Sequence, residues 1–396
     1  MGSYFILIGL SIAVILSYLF DLLARATKVP SVLMLLLTGI ALRQAADYFD
    51  FALGIPKVVL EIFGIIGLIM IVLEGALDLK LTRDKAPLIR RSFLAASLML
   101  VVQAVAIALL LQAYVGASFQ TCLVNAVPLS VISSAIAIPS VANLMGEKQE
   151  FIVYESTFSD ILGIMLFNFA LQKNFAQGVS LVTFSLDVVA VAGVAVVSTA
   201  ALAFLLGRIR LHVKFFLILA FLVLLYSLAK QLHLSSLVLV LVFGLAVNNA
   251  DLILRGPRLQ RWLHPEQLAA ELFLLKSITA ESAFLIRTFF FLLFGFSITL
   301  GSIVSGTLLL QGLLIVAVLT AIRYVYLRHI ARIDLVPELF IAPKGLITVL
   351  LFYSIPAQHH IGEVGENILF VVILLTGLLM MIGLQLAKRE PEIGEY

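Results

Sequence analysis

Tyr154-Glu155-Ser156-Thr157-Phe158-Ser159-Asp160-Ile161-Leu162-Gly163-Ile164-Met165-Leu166 sets two carboxylates and three hydroxyls at the head of a long apolar run. Helical spacing places Ser156 and Asp160 on one face, four residues apart, and Glu155 with Ser159 on the adjacent one. A helix of this composition carries acids into an apolar environment. There a charge costs several kcal/mol unless it is paired, hydrated or protonated. Acids at such depth mark ion or proton pathways by default. The plainer reading, an acid near a helix end reaching the headgroups, suits one carboxylate better than two set among three hydroxyls.

The surrounding chain supplies the apolar medium. Of 396 residues, 62% are hydrophobic and 12% charged, against about 45–50% and about 25% in soluble domains. These values define an all-α polytopic membrane protein and leave no room for a soluble domain. The net charge of +3 gives no reason to expect nucleic acid. One cysteine, Cys122, excludes an internal disulfide, and the six histidines are scattered, so neither a metal centre nor a cofactor is expected. The N-terminus lacks the basic start of a signal peptide and runs directly into a first span.

Thirteen apolar spans follow, at about 4–24, 31–46, 58–78, 92–114, 121–145, 150–172, 183–207, 214–230, 234–250, 280–300, 305–327, 334–356 and 364–387. Basic residues orient them. With the N-terminus outside, the inner loops and tail hold 18 Lys and Arg and the outer loops hold 4. The positive-inside rule then gives an outer N-terminus and a cytoplasmic C-terminus. Residues 256–279 mix Arg258, Arg261, Trp262 and His264 with leucines, the pattern of an amphipathic helix at the cytoplasmic interface.

Two spans are punctuated at mid-depth. The fifth carries Ser133-Ser134-Ala135-Ile136-Ala137-Ile138-Pro139-Ser140, and the twelfth Ala342-Pro343-Lys344-Gly345. Proline removes an amide donor and clashes with the preceding turn, and freed backbone groups in lipid survive only where protein or a cavity satisfies them. Interrupted spans at matching places in two halves are the sequence mark of a transporter site. Here each is second-last of its six, and a seventh span between the sets inverts the second, giving two inverted six-helix repeats with broken crossing helices. Lys344 is placed to neutralise helix C-termini at the crossing. Arg323, deep in the eleventh span, needs an acid; Glu155 is the natural one, which leaves Asp160 to titrate.

Glu155-Ser156-Thr157-Phe158-Ser159-Asp160 resembles the Glu-Ser-x-x-Asn-Asp signature of monovalent cation:proton antiporters of the NhaP and sodium–hydrogen exchanger type. Leu73-Glu74-Gly75-Ala76-Leu77 resembles their third-span Phe-Glu-Gly-Gly-Leu, and Phe284-Leu285-Ile286-Arg287-Thr288-Phe289-Phe290-Phe291 their aromatic tenth span. Arg323 matches their eleventh-span arginine, and Pro343-Lys344-Gly345 is similar to the Arg-Gly turn of their broken twelfth helix. The resemblance implies a homodimer in the cell membrane. It implies interface helices within 1–80 and 214–302, a core within 87–174 and 305–388, a linker helix at 183–207 and a short tail at 389–396. The activity implied is exchange of a cation for a proton by alternating access, transport and not enzymatic catalysis. Asp160 would bind Na⁺ or H⁺, Ser156, Ser159 and Glu74 would be further ligands, and Glu155–Arg323 a structural ion pair.

Two departures stand out. Ser159 replaces the signature asparagine but still offers an oxygen, and no second aspartate follows, which favours one-for-one, electroneutral exchange. The family's Thr-Asp-Pro at the fifth-span break is read here as Ala137-Ile138-Pro139, with Ser133, Ser134 or Ser140 as substitutes. Sodium is the first expectation for the cation, potassium or lithium the alternatives, and a non-transporting sensor a further one. An intramembrane aspartyl protease would need two acids sharing a proton and a Gly-x-Gly-Asp motif, which the sequence lacks.

Overall fold

The structure is a computed structural model that describes residues 3–49, 57–79, 84–141, 144, 146–172, 215–231, 236–248, 265–298, 306–362 and 365–387, with scattered positions from 186 to 198. All regular structure among the described residues is helical. The described residues form thirteen α-helices: α1 (Ser3–Thr27), α2 (Ser31–Tyr48), α3 (Lys57–Asp78), α4 (Ala86–Val115), α5 (Phe119–Ser130), α6 (Ser134–Ser140), α7 (Gly146–Ala170), α8 (Phe215–Gln231), α9 (Ser236–Asn248), α10 (Pro265–Ser297), α11 (Gly306–Val325), α12 (Leu346–Tyr353) and α13 (Glu366–Leu386). Among the described residues, six helical stretches are long and apolar enough to cross a bilayer: Leu7–Ala24, Ala86–Val115, Phe119–Ser140, Phe273–Ser297, Gly306–Ala331 and Asn367–Leu386.

These helices do not map one-to-one onto the thirteen expected spans. The fifth span yields two, α5 and α6, and most of the seventh, 183–207, lies outside the described residues, as does the tail at 389–396. The eleventh continues from α11 into a π-helical turn, Tyr326–Ala331, closed by Arg332 in the left-handed region at φ 53°. The twelfth is helical only from Leu346; before it come a turned stretch at 336–340 and a non-helical one at 341–345. Of the interfacial segment expected at 256–279, residues 256–264 lie outside the described residues. From Pro265 it runs unbroken into the tenth span as α10, because no glycine or proline separates Leu268 from Phe294.

The chain forms two compact units. One comprises residues 1–54, 87–163 and 287–396, and the other 55–86 and 164–286. Lipid tails are as apolar as leucine, so helices in a membrane associate through close packing and a few polar bonds. Both devices operate in the first unit. Gly39 of α2 and Gly295 of α10 face each other so tightly that a Cβ on either would strike the other helix's backbone. Gly312 of α11 lies against Val371 of α13. Gln103 of α4 donates to the Leu319 carbonyl of α11 at 3.1 Å, and the Ser17 and Thr288 hydroxyls meet at 2.6 Å. In the second unit, α9 packs on α3 with Gly244 against Ala76 and Leu73, and Asn248 donates to the Leu79 carbonyl at 3.0 Å.

Candidate ion-binding site

The site is built where the first unit's two interrupted spans meet. In an unbroken helix the amides of Ile132, Ser133 and Ser134 would bond carbonyls four residues back. Here they leave the ladder and each finds a partner elsewhere. Ile132 N donates to Ser159 Oγ at 2.9 Å, Ser133 N to the Pro343 carbonyl at 2.9 Å, and Ser134 N to Asp160 Oδ2 at 3.1 Å. The Ser130 carbonyl released at the end of α5 accepts from Lys344 Nζ at 2.9 Å. Freed groups are thus satisfied by protein, the condition for a break in the apolar region. The signs also agree: the ammonium meets the negative end of α5, and the carboxylate meets the first amide of α6.

The break therefore lies at 131–133, at the head of the 133–140 stretch read from the sequence. Ile138 and Pro139 lie inside α6, on the C-terminal side of the break. Pro139 forfeits only the bond its amide would make to Ala135, a small loss in a short helix, whereas the interruption at 131–133 is held by acceptors on α7 and beside α12. The substitution at Ala137-Ile138 accordingly takes no oxygen away from the break. Ser133 and Ser134 stand there instead. Ser133 Oγ is buried and has no hydrogen-bond partner among the described residues.

The second interruption is closed in the same way. Lys344 N donates to Thr376 Oγ1 of α13 at 3.1 Å, and Gly345 N to Thr348 Oγ1 at 3.3 Å. Gly345 is extended, at φ −159°, so its role is steric. A Cβ there would lie 2.6 Å from Ser133 Oγ, 2.7 Å from Ile136 Cδ1 and 2.9 Å from Ser133 Cβ. Gly345→Ala is expected to push the crossing segments apart, at a cost of about 1–3 kcal/mol. The measurement is the temperature at which the detergent-purified protein loses its size-exclusion peak. An unchanged temperature would contradict the packing described.

Beside the crossing lies a buried ion pair. Arg323 donates from both terminal nitrogens to Glu155, at 2.7 Å to Oε1 and 2.9 Å to Oε2, and both side chains are 1% exposed. Its Nε donates to the Glu338 carbonyl at 2.8 Å, and a terminal nitrogen also reaches the Ile341 carbonyl at 3.3 Å. This bidentate fork, supported by carbonyls, is the geometry in which a buried charge pair is tolerated. Lys344 is likewise 1% exposed, and Asp160 7%.

The remaining predicted residues are placed as follows. Ser156 is fully buried one turn before Asp160, its hydroxyl donating to the Val153 carbonyl at 3.2 Å; Thr157 does the same at 2.8 Å. Glu74 lies half-buried on α3, in the second unit. Two contributors were not singled out from the sequence. Thr376 carries no signal of its own in an apolar helix. Glu338 does, as an acid within the twelfth apolar stretch. A cavity of about 20 Å³ lined by Gln103, Leu319, Arg323, Lys344 and Thr376 adjoins the cluster. It has room for about one water molecule, too little for a hydrated cation.

Comparison with known proteins agrees with this architecture. The family described as "Sodium/hydrogen exchanger, transmembrane" matches residues 10–387, nearly the whole chain. The chain belongs to the sodium/hydrogen exchanger family: it is a multi-pass membrane transporter of the cation/proton antiporter class. Its fold is similar to that of the sodium proton antiporter MjNhaP1 from Methanocaldococcus jannaschii at pH 8. There the TM-score is 0.68 at 20% identity, over 96% of this chain and 100% of that one. An electron-microscopy structure of MjNhaP1 from the same organism gives 0.60 at 18% identity, over 96% and 95%. No curated protein sequence matches.

Proposed function

We propose that this protein exchanges a monovalent cation, sodium first, for a proton, one for one, with both competing for the Asp160 carboxylate. The observation that carries the reading is the Ser134 amide bonded to Asp160, which ties that acid to the break. The neighbouring hydroxyls of Ser133, Ser156 and Ser159 offer the oxygen ligands that alkali cations prefer. A cation and a proton cannot occupy one carboxylate together, so binding one releases the other. Either occupant brings the same charge to the site. The two loaded forms are then electrically alike, and the exchange is electroneutral.

The surrounding design follows from that chemistry. Glu155 and Arg323 hold α7 to α11, and Lys344 holds the second broken segment to the end of α5. The core, 87–174 and 305–388, would move against interface helices within 1–80 and 214–302, with 183–207 as linker, in a homodimer. The 18-to-4 distribution of basic residues supports an outer N-terminus and a cytoplasmic C-terminus in the cell membrane. Potassium in place of sodium is the alternative on the same fold. The test is a pH dye trapped in proteoliposomes, with sodium, potassium, lithium and choline pulsed in turn. Internal pH is expected to respond to sodium but not to choline; a response to potassium alone would replace sodium as the substrate. No response to any alkali cation from folded protein would contradict the reading.

A further inference from the structure

The cavity beside the crossing brings together two buried groups with opposite needs. Its polar wall is made by Gln103 of α4, Thr320 and Arg323 of α11, Lys344 of the second break and Thr376 of α13, all in the first unit. Arg323 has no hydrogen to spare. Its five N–H groups are matched by five bonds, to the Glu338 and Ile341 carbonyls, both oxygens of Glu155 and Met99 Sδ. The Thr376 hydroxyl is also engaged, accepting from Lys344 N at 3.1 Å and donating to the Val372 carbonyl at 2.8 Å. Gln103 and Lys344 differ. Gln103 is 2% exposed, and its Nε2 donates to the Leu319 carbonyl at 3.1 Å. That bond fixes the other amide atom as oxygen, and this Oε1 has no hydrogen-bond partner among the described residues. Lys344 is 1% exposed, and its ammonium, with three hydrogens, has the Ser130 carbonyl at 2.9 Å as its one acceptor among the described residues.

A buried amide oxygen that lacks a donor and a buried ammonium with hydrogens left over line one cavity, and its volume of about 20 Å³ suits one water. Water has an O–H for Gln103 and a lone pair for Lys344, and the Thr320 hydroxyl can turn to either part. A bare alkali cation would suit the amide oxygen but would face a guanidinium and an ammonium. A small anion would suit the ammonium but would set its charge against the amide oxygen. We infer that this cavity is a binding site for one resident water molecule, held between Gln103 Oε1 and Lys344 Nζ. The water joins α4 to the second break, as the Gln103–Leu319 bond joins α4 to α11. The inference holds whichever ion Asp160 exchanges.

The test is electron cryo-microscopy of the full-length protein in lipid nanodiscs, at a resolution that shows ordered water. One map is recorded in sodium chloride and one in choline gluconate. A single peak is expected in both salts, within about 2.5–3.2 Å of both Gln103 Oε1 and Lys344 Nζ. No peak there, in maps that show ordered water elsewhere, would overturn the inference. A peak in sodium chloride alone would overturn it as well, by making the ligand an ion. The second arm is Gln103→Met, whose side chain is of similar length but ends without an oxygen. It is expected to lose the peak while the Lys344–Ser130 bond stays in place. A peak of undiminished height in this variant would show that Gln103 does not hold the ligand, and would overturn the assignment. If Gln103→Met does not fold, the two wild-type maps decide alone.

Discussion

Asp160→Asn is expected to abolish cation-dependent proton flux while leaving the protein folded. Asparagine keeps a carbonyl oxygen for the Ser134 amide that now bonds Oδ2 at 3.1 Å, so the break should hold. What it loses is the charge that draws a cation and the ability to take and release a proton. Removing an interaction used only by the transported ions should reduce rate without reducing stability, and the two readouts separate these effects. Flux is read with a trapped pH dye, folding by the size-exclusion peak after graded heating. Flux at saturating sodium comparable to wild type would show that the competition occurs at another residue.

Breaking the Glu155–Arg323 pair should have the opposite signature. Both side chains are 1% exposed, and the guanidinium engages Glu155 with two nitrogens. Replacing Arg323 by alanine strands a buried carboxylate and frees the carbonyls of Glu338 and Ile341. A stranded partner of this kind costs about 3–5 kcal/mol. Arg323→Ala is therefore expected to lose the folded protein at temperatures the wild type survives. Glu155→Leu combined with Arg323→Met removes both charges at similar volume and should recover much of the loss, since neither ion is then left alone. A single variant as heat-resistant as the wild type would show that the pair does not hold α7 to α11.

The same physics explains which parts of this molecule could be read from its sequence. The cost of a charge in apolar surroundings makes Arg323 demand an acid, and the structure supplies Glu155. Proline followed by glycine marks the twelfth-span interruption, because no helix continues easily through Pro343 and the Gly345 contact with Ser133 admits no side chain. The fifth-span interruption is different. Nothing local breaks the helix at Val131–Ser133. It is broken by acceptors remote in sequence, Ser159, Asp160 and the Pro343 carbonyl, while the conspicuous Pro139 is absorbed into α6. Local breaking chemistry is visible in a sequence; breakage imposed by tertiary partners is not. Lys344 shows the intermediate case. Its charge implies a helix end nearby, but only the structure identifies that end as the Ser130 carbonyl of α5.

The competition at Asp160 can be observed without any membrane. Purified protein is held in weakly buffered detergent at a pH where the site is partly protonated, and sodium chloride is added while a dye reports free protons. Choline chloride controls for ionic strength. The account predicts that sodium releases a proton from each wild-type protomer, and that Asp160→Asn releases none. Sodium binding without proton release, or release that persists in Asp160→Asn, would contradict it.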